Sequence, residues 1–287
     1  MAIINYVDEF LTHNNSVIEG SNIHKRIGGL LLISTLLSII GVCVIKFFVG
    51  DVSMEALPLA LSLFSAVPMV GMWASYFYLL NKYPVYQVIP LFQLTAIWLL
   101  LIEFFNGENI TALGLLGVVI LVVGTYFLDV AKFKWAIPSK LLMIVGGITL
   151  LWGIDLYVIR QASEMTSGPG AVSFWQYVGV TLIGIVLLAC VKQYREGFFT
   201  RIRQQGKLFL GLSVFNESIS QIAYVLGNFA IFLAPAAAYA SSINGVQSVF
   251  LLVLFLLFPQ KKTEINTLQI AAIIFIAIGV FVLEVSQ

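Results

Sequence analysis

Charge is what this sequence has least of. Only 10% of its 287 residues are Asp, Glu, Lys or Arg, whereas 60% are hydrophobic and the mean hydropathy is +1.00. A water-soluble domain cannot hide that much apolar surface, so the solvent around most of the chain must be lipid. An excess of one sign is missing as well. The 15 Lys and Arg face 14 Asp and Glu, for a formal net charge of +1, which gives no electrostatic footprint for nucleic acid. Cysteine is scarce: Cys43 and Cys190 both fall inside apolar runs, lack metal-ligand spacing, and read as small hydrophobes rather than a disulfide. The first 26 residues lack the basic start, apolar core and small-residue cleavage site of a signal peptide. Phosphate loop, metal motif, nucleophile elbow and protonatable dyad are all absent, so neither an enzyme nor a cofactor is expected. His13 and His24 stand in a polar stretch with no ligand cluster around them.

What the sequence does have is apolar runs of about 18 to 25 residues, each long enough to cross a hydrocarbon core of about 30 Å as a helix. A β-barrel would show short alternating segments instead. Breaks at charges, Pro, Gly and Asn predict helices over residues 27–48, 56–80, 85–105 and 112–130, then 141–158, 174–191, 208–233, 236–258 and 268–285.

The two groups resemble each other. WASYFYLLNKYPVYQVIPLFQ (73–93) sits over GNFAIFLAPAAAYASSINGVQ (227–247) without a gap, pairing Gln93 with Gln247. Residues 108–111 sit over 264–267, and GTYFL (124–128) over GVFVL (279–283). LLWGIDLYVIR around Asp155 opens the second group, and AIINYVDEFL (2–11) supplies its counterpart, so Asp8 matches Asp155. The first half then holds five helices, the first cut short before its midpoint, and the natural start is expected upstream of Met1. Five is odd, so the second half enters the membrane from the opposite side, as an inverted repeat does. The expected fold is an all-α membrane protein of about ten transmembrane helices, nine complete plus a truncated first, in two inverted five-helix repeats. They span 1–130 and 139–287, joined by a linker at 131–138.

Basic residues orient this map. Lys25, Arg26, Lys82, Lys132, Lys134, Lys140, Lys192, Arg195, Arg201, Arg203, Lys207, Lys261 and Lys262 share one side, with only Lys46 and Arg160 opposite. The positive-inside rule puts the basic loop 191–207 in the cytoplasm and the carboxyl terminus outside.

With no catalytic motif, the informative residues are polar groups stranded at lipid depth. Asn216, Glu217, Gln221, Tyr224 and Asn228 form the densest set, and the spacing of the last four puts them along one helical face. Glu217 lies ten positions past Lys207, about 15 Å into the membrane at 1.5 Å per residue. A carboxyl group there could exchange a proton as access alternates, or could simply stay neutral and hydrogen-bonded to a neighbouring helix. Asn244 and Gln247, with Ser241 one turn earlier and Gln93 at the equivalent place in the first half, could bind a polar solute or glue helices. Pro90 frees a backbone carbonyl in the helix that carries Gln93. Asp8 and Asp155 could guard opposite cavity mouths, while Asp155 could instead pair with Arg160 or meet interfacial water. Tyr76, Tyr78, Trp98, Trp152, Trp175 and Tyr177 could line a pocket, though Trp175 and Tyr177 sit near a helix start as interfacial anchors do. Glu103 and Glu108 bracket a helix end, and Glu108 with Thr111 reads as a helix-start feature.

AIINYVDEFL, VIPLFQ leading to NGENITALGLLGVVILVVG, and FNESISQIAYVLGNFAIFLAP followed by INGVQSVFLL resemble the drug/metabolite transporter superfamily, in its EamA-like branch, from Ala2 to Leu283. The resemblance implies ten helices in two inverted repeats around a central cavity, alternating access, and Asp8, Gln93, Asp155, Glu217, Gln221, Asn244 and Gln247 near that cavity. The expectation is a multi-pass protein of a bacterial inner membrane that carries a small metabolite or amphipathic solute. Glu217 would be its proton site, and Asp8, Gln93, Asp155, Gln221, Tyr224, Asn244 and Gln247 would line its cavity. The expected partners are that solute and the lipid bilayer, with a homodimer as an option and no nucleic acid. The alternatives are a membrane enzyme or lipid-handling protein, and a non-transporting scaffold.

Overall fold

A computed structural model describes residues 4, 5, 7, 8, 11, 23–83, 88–108, 110–130, 139–166, 168–243, 246, 249, 250, 253 and 267–285. Among the described residues all regular structure is helical: α1 (Ile23–Val49), α2 (Ala56–Leu80), a 3-10 turn (Pro90–Gln93), α3 (Leu94–Phe105), α4 (Ala112–Val130), α5 (Ser139–Met165), α6 (Pro169–Cys190), α7 (Lys192–Leu233), α8 (Ala237–Ile243) and α9 (Thr267–Val285). Residues 4, 5, 7, 8 and 11 are helical too. The linker 131–138 lies outside the described residues.

The helices stop where the sequence supplies a stop. Gly107, at φ 77°, follows α3 in the left-handed conformation that a side chain resists. Its N–H donates to Phe104 O (3.1 Å) and that of Glu108 to Glu103 O (3.0 Å), a complete Schellman cap. Thr111 opens α4 by accepting from the Gly114 N–H at 3.0 Å, so the expected helix start is there and Thr111 makes it.

α1, α2, α6, Met143–Met165 of α5 and Phe209–Leu233 of α7 are each long and apolar enough to cross a membrane. Their side chains are distributed as a lipid solvent requires. Phe47, Phe64, Val67, Leu182, Val186 and Leu226 face outward, while Ser34, Ser38, Ser62, Ser65, Ser173 and Thr149 are buried. Most of these hydroxyls bond the carbonyl one turn back, as Ser38 does to Ser34 O (3.1 Å) and Thr149 to Val145 O (2.8 Å). The chain is an all-α membrane protein.

The helices gather into two compact units, one comprising Ile3–Pro84 and Val158–Phe232, the other Val85–Tyr157 and Leu233–Gln287. In the first, α1 and α6 run antiparallel: Val49 packs on Gly170, Gly41 lies beside Tyr177, and Gly184 beside Thr35. In the second, α4 and α9 run antiparallel, with Gly117 against Leu283, Gly124 against Ile276 and Gly279 against Leu121. Glycine removes the side chain at these crossings, which lets backbones approach where no hydrophobic effect drives helices together.

Four elements depart from expectation. The helix expected over 141–158 is α5 and runs on to Met165, seven residues further, through Arg160 and Glu164, which pair one turn apart. The single helix over 85–105 is a 3-10 turn at Pro90 followed by α3, because proline lacks the N–H and fixes φ at the point where an α-helix would run through. α6 starts at Pro169, five residues before the expected 174, using proline's tolerance at a first turn. The basic loop 191–207 is also helical: Val191 is extended (φ −102°, ψ 92°), residues 192–205 are helical, and Gly206 (φ 70°, ψ −167°) breaks the helix before the span begins.

Candidate functional site

The first unit carries a column of buried polar side chains centred on α7 beyond Gly206. Asn216 is buried and donates from Nδ2 to Asp8 Oδ1 at 2.8 Å. Tyr76 of α2 sends its hydroxyl toward both Asp8 Oδ2 and Asn5 Oδ1, each at 3.2 Å. One residue along, Glu217 accepts from the hydroxyl of Ser34 on α1. Asp8 and Glu217 are each only 8% exposed. Two carboxyls, one phenol, two amides and a serine thus converge from the amino-terminal residues, α1, α2 and α7.

One turn further, Gln221 is 2% exposed, and neither its Oε1 nor its Nε2 has a hydrogen-bond partner among the described residues. The amide lies on the bare backbone of Gly41, where a Cβ would come within 2.5 Å of Oε1. Tyr177 closes the site from α6, its hydroxyl donating to the Gln221 backbone carbonyl at 3.3 Å. Tyr224 meets Trp73 of α2 with ring centroids 6.1 Å apart. Asn228 ends the column, its Nδ2 donating to Ser173 Oγ (2.9 Å) and Gln176 Oε1 (3.4 Å) on α6. The stripe expected along α7 therefore exists, but it serves three neighbours: Glu217 faces α1, Tyr224 faces α2 and Asn228 faces α6.

The second unit holds Gln93 and Asp155, both buried. Gln93 sits at the junction of the 3-10 turn and α3, its Oε1 without a hydrogen-bond partner among the described residues. Phe92 packs on Trp152 (centroids 5.8 Å), and Trp98 Nε1 donates to Thr149 Oγ1 at 3.2 Å. Gly153 brings α5 against α3, a Cβ there lying 3.2 Å from that of Trp98. Asn244 and Gln247 lie outside the described residues.

The other side chains singled out from the sequence take these places. Tyr177 is fully buried beside Gln221, so it is no interfacial anchor; its partner lies inside the bundle. Trp175 donates to Val52 O at 2.8 Å. Arg160 pairs with Glu164 one turn along (Nε–Oε1 3.0 Å). Glu103 is fully buried and accepts the backbone N–H groups of Ala237 (2.5 Å) and Ala238 (3.1 Å), so it caps the start of α8. Ser34, Asn5 and Gln176 escaped sequence reasoning altogether. No signal marked them, since mid-helix serines and amides are common in spans and usually bond locally.

No family model matches the chain, and no curated protein matches it. Solved structures do share its fold. One of them, described only as the crystal structure of a protein, matches with a TM-score of 0.60 over 100% of this chain and 98% of its own, at 12% identity.

Proposed function

We propose that the chain is a secondary transporter of the drug/metabolite transporter type, built from two inverted repeats, which moves a small polar or amphipathic solute by alternating access coupled to a proton on Glu217. The observation that carries this reading is the burial of two carboxyls, Asp8 and Glu217, in one polar cluster packed among helices long and apolar enough to span a membrane. Ionisable groups at that depth are expensive, and where they persist they mark ion or solute pathways. Gln221 adds a second support: a buried amide whose donors and acceptor are unspent costs about 1–3 kcal/mol, a cost that a bound solute would relieve.

The helix packing supports the repeat. A two-fold axis in the membrane plane makes equivalent helices antiparallel and exchanges their contacts. Under the alignment that pairs Gly124 with Gly279, Leu121 pairs with Ile276. The contacts Gly124 to Ile276 and Gly279 to Leu121 are then one contact seen twice. Each compact unit also draws helices from both sequence halves.

Counterflow tests the reading. The full chain in liposomes loaded with a total metabolite extract should exchange a defined subset of solutes, read by mass spectrometry, and Glu217→Gln should abolish the exchange while the protein stays folded. Turnover of a lipid without net flux would make the chain an enzyme instead. Neither exchange nor turnover would leave it a scaffold.

A further inference from the structure

Residues 192–205 form a helix whose two faces differ. It joins Pro169–Cys190 to Phe209–Leu233, both long enough to cross the membrane, so it sits at a membrane surface. Its inner face docks on the start of α1. Gly197 lies so close that a Cβ would fall 2.0 Å from Lys25 O, and the Tyr194 ring fills the space beside Gly28. Arg201, fully buried, donates from Nη2 to Arg26 O at 3.0 Å. Burial, with the charge of Arg26 added, pulls the Arg201 guanidinium down to about 10, so it remains charged at neutral pH.

The opposite face bears Lys192, Arg195, Phe199 and Arg203, all exposed. They are spaced three, four and four apart, which confines them to a stripe about 80° wide at 100° per residue. The Lys192 side chain is 79% exposed and Phe199 is 44% exposed. Glu196 is the one acid between 192 and 205, and it forms an ion pair with Lys25 on α1. Lys192 makes a second, longer ion pair with it (Nζ–Oε1 3.9 Å), so this one acid is shared by two lysines, and the excess of Lys192, Arg195 and Arg203 over it keeps the stripe cationic.

We propose that this helix lies in the plane of the membrane surface and that Lys192, Arg195 and Arg203 bind the phosphates of anionic phospholipids, with Phe199 set into the acyl boundary. Charge complementarity names the occupant. Guanidinium forks match phosphate oxygens in pairs, and an exposed aromatic among cations suits the boundary between headgroup and chain. The site is separate from the polar column and would serve the protein whether or not it transports.

Native mass spectrometry tests this on the full chain equilibrated with vesicles of equal phosphatidylglycerol and phosphatidylcholine. The native sequence should retain phosphatidylglycerol preferentially, and the triple variant Lys192→Gln, Arg195→Gln, Arg203→Gln should lose the preference. The loss should be about fivefold per basic residue, or roughly a hundredfold for all three, at low salt. The preference of the native protein should also fall as salt rises, because the screening length shrinks to about 10 Å at 0.1 M. A preference unchanged in the triple variant, or insensitive to salt, overturns the proposal. So does a variant that loses a dimer mass while keeping its lipid, since the occupant would then be a second copy of the chain.

Discussion

Replacing Gly279 with alanine probes the closest helix pair of the second unit. A Cβ at 279 would lie 2.7 Å from Leu121 Cγ, 2.9 Å from the Leu121 backbone nitrogen and 3.2 Å from Gly117 O. A leucine tip can swing aside, but a backbone nitrogen cannot, so α4 and α9 must move apart. Overpacking of this kind costs about 1–3 kcal/mol, and the better helix propensity of alanine returns about 0.5–1 kcal/mol, for a net loss of roughly 0–2.5 kcal/mol. Gly124→Ala should cost a similar amount, since its Cβ would meet Ile276 Cγ1 and N at 3.0 Å each and Phe275 Cβ at 3.1 Å. Gly147→Ala is the control, with no atom of the described residues within 4 Å of the added methyl group, and should be neutral or gain up to about 1 kcal/mol. Equilibrium unfolding in mixed micelles, followed by circular dichroism, reads all three. Equal stability of Gly279→Ala and Gly147→Ala would refute the packing argument. A penalty at 279 with none at 124 would count against the exchange of contacts that supports the proposed two-fold.

Gln221→Leu separates binding from helix glue: removing an unspent buried amide should leave stability unchanged or raise it by about 1 kcal/mol while abolishing solute exchange, and a destabilised variant would sink that assignment. Glu103→Gln should destabilise by about 1–3 kcal/mol in the same unfolding assay, because an amide offers one acceptor oxygen to two backbone donors; a variant as stable as the native protein would contradict the cap. The hydrogen bond and charge of Lys25 hold Glu196 below its ordinary value, so their contribution is present above the usual carboxylate range and is lost as pH falls through the lowered value. The protection factors of residues 192–205, with exchange normalised to the intrinsic rate at each pH, should therefore fall on acidification in the native chain and fall less over the same step in Lys25→Met; parallel behaviour would argue against the pair.

The spans were readable because their signals are strong: long apolar runs cut by Gly50, Gly107 and charges leave few choices for helix ends. Residues 192–205 were harder to read, since Lys and Arg depress hydropathy there, although the spacing of Lys192, Arg195, Phe199 and Arg203 already carried a helical period. Pro90 announced a break, but sequence alone does not choose between a kinked α-helix and a 3-10 turn. In the site, Glu217, Gln221, Tyr224 and Asn228 were legible because polar groups in an apolar run are rare. Their partners were not. Ser34 reads no differently from Ser38, yet Ser38 bonds its own helix whereas Ser34 reaches Glu217. Asp8 was found through its match to Asp155, and only the fold brings it to Asn216 and Tyr76.

Proton coupling at Glu217 is tested most directly by imposing a pH gradient on liposomes that hold the full chain and a metabolite extract, and recording current on a solid-supported membrane. The native protein should give a solute-dependent current that tracks the gradient, and folded Glu217→Gln should give none. Equal currents from the two proteins, with the same dependence on pH, would contradict the mechanism.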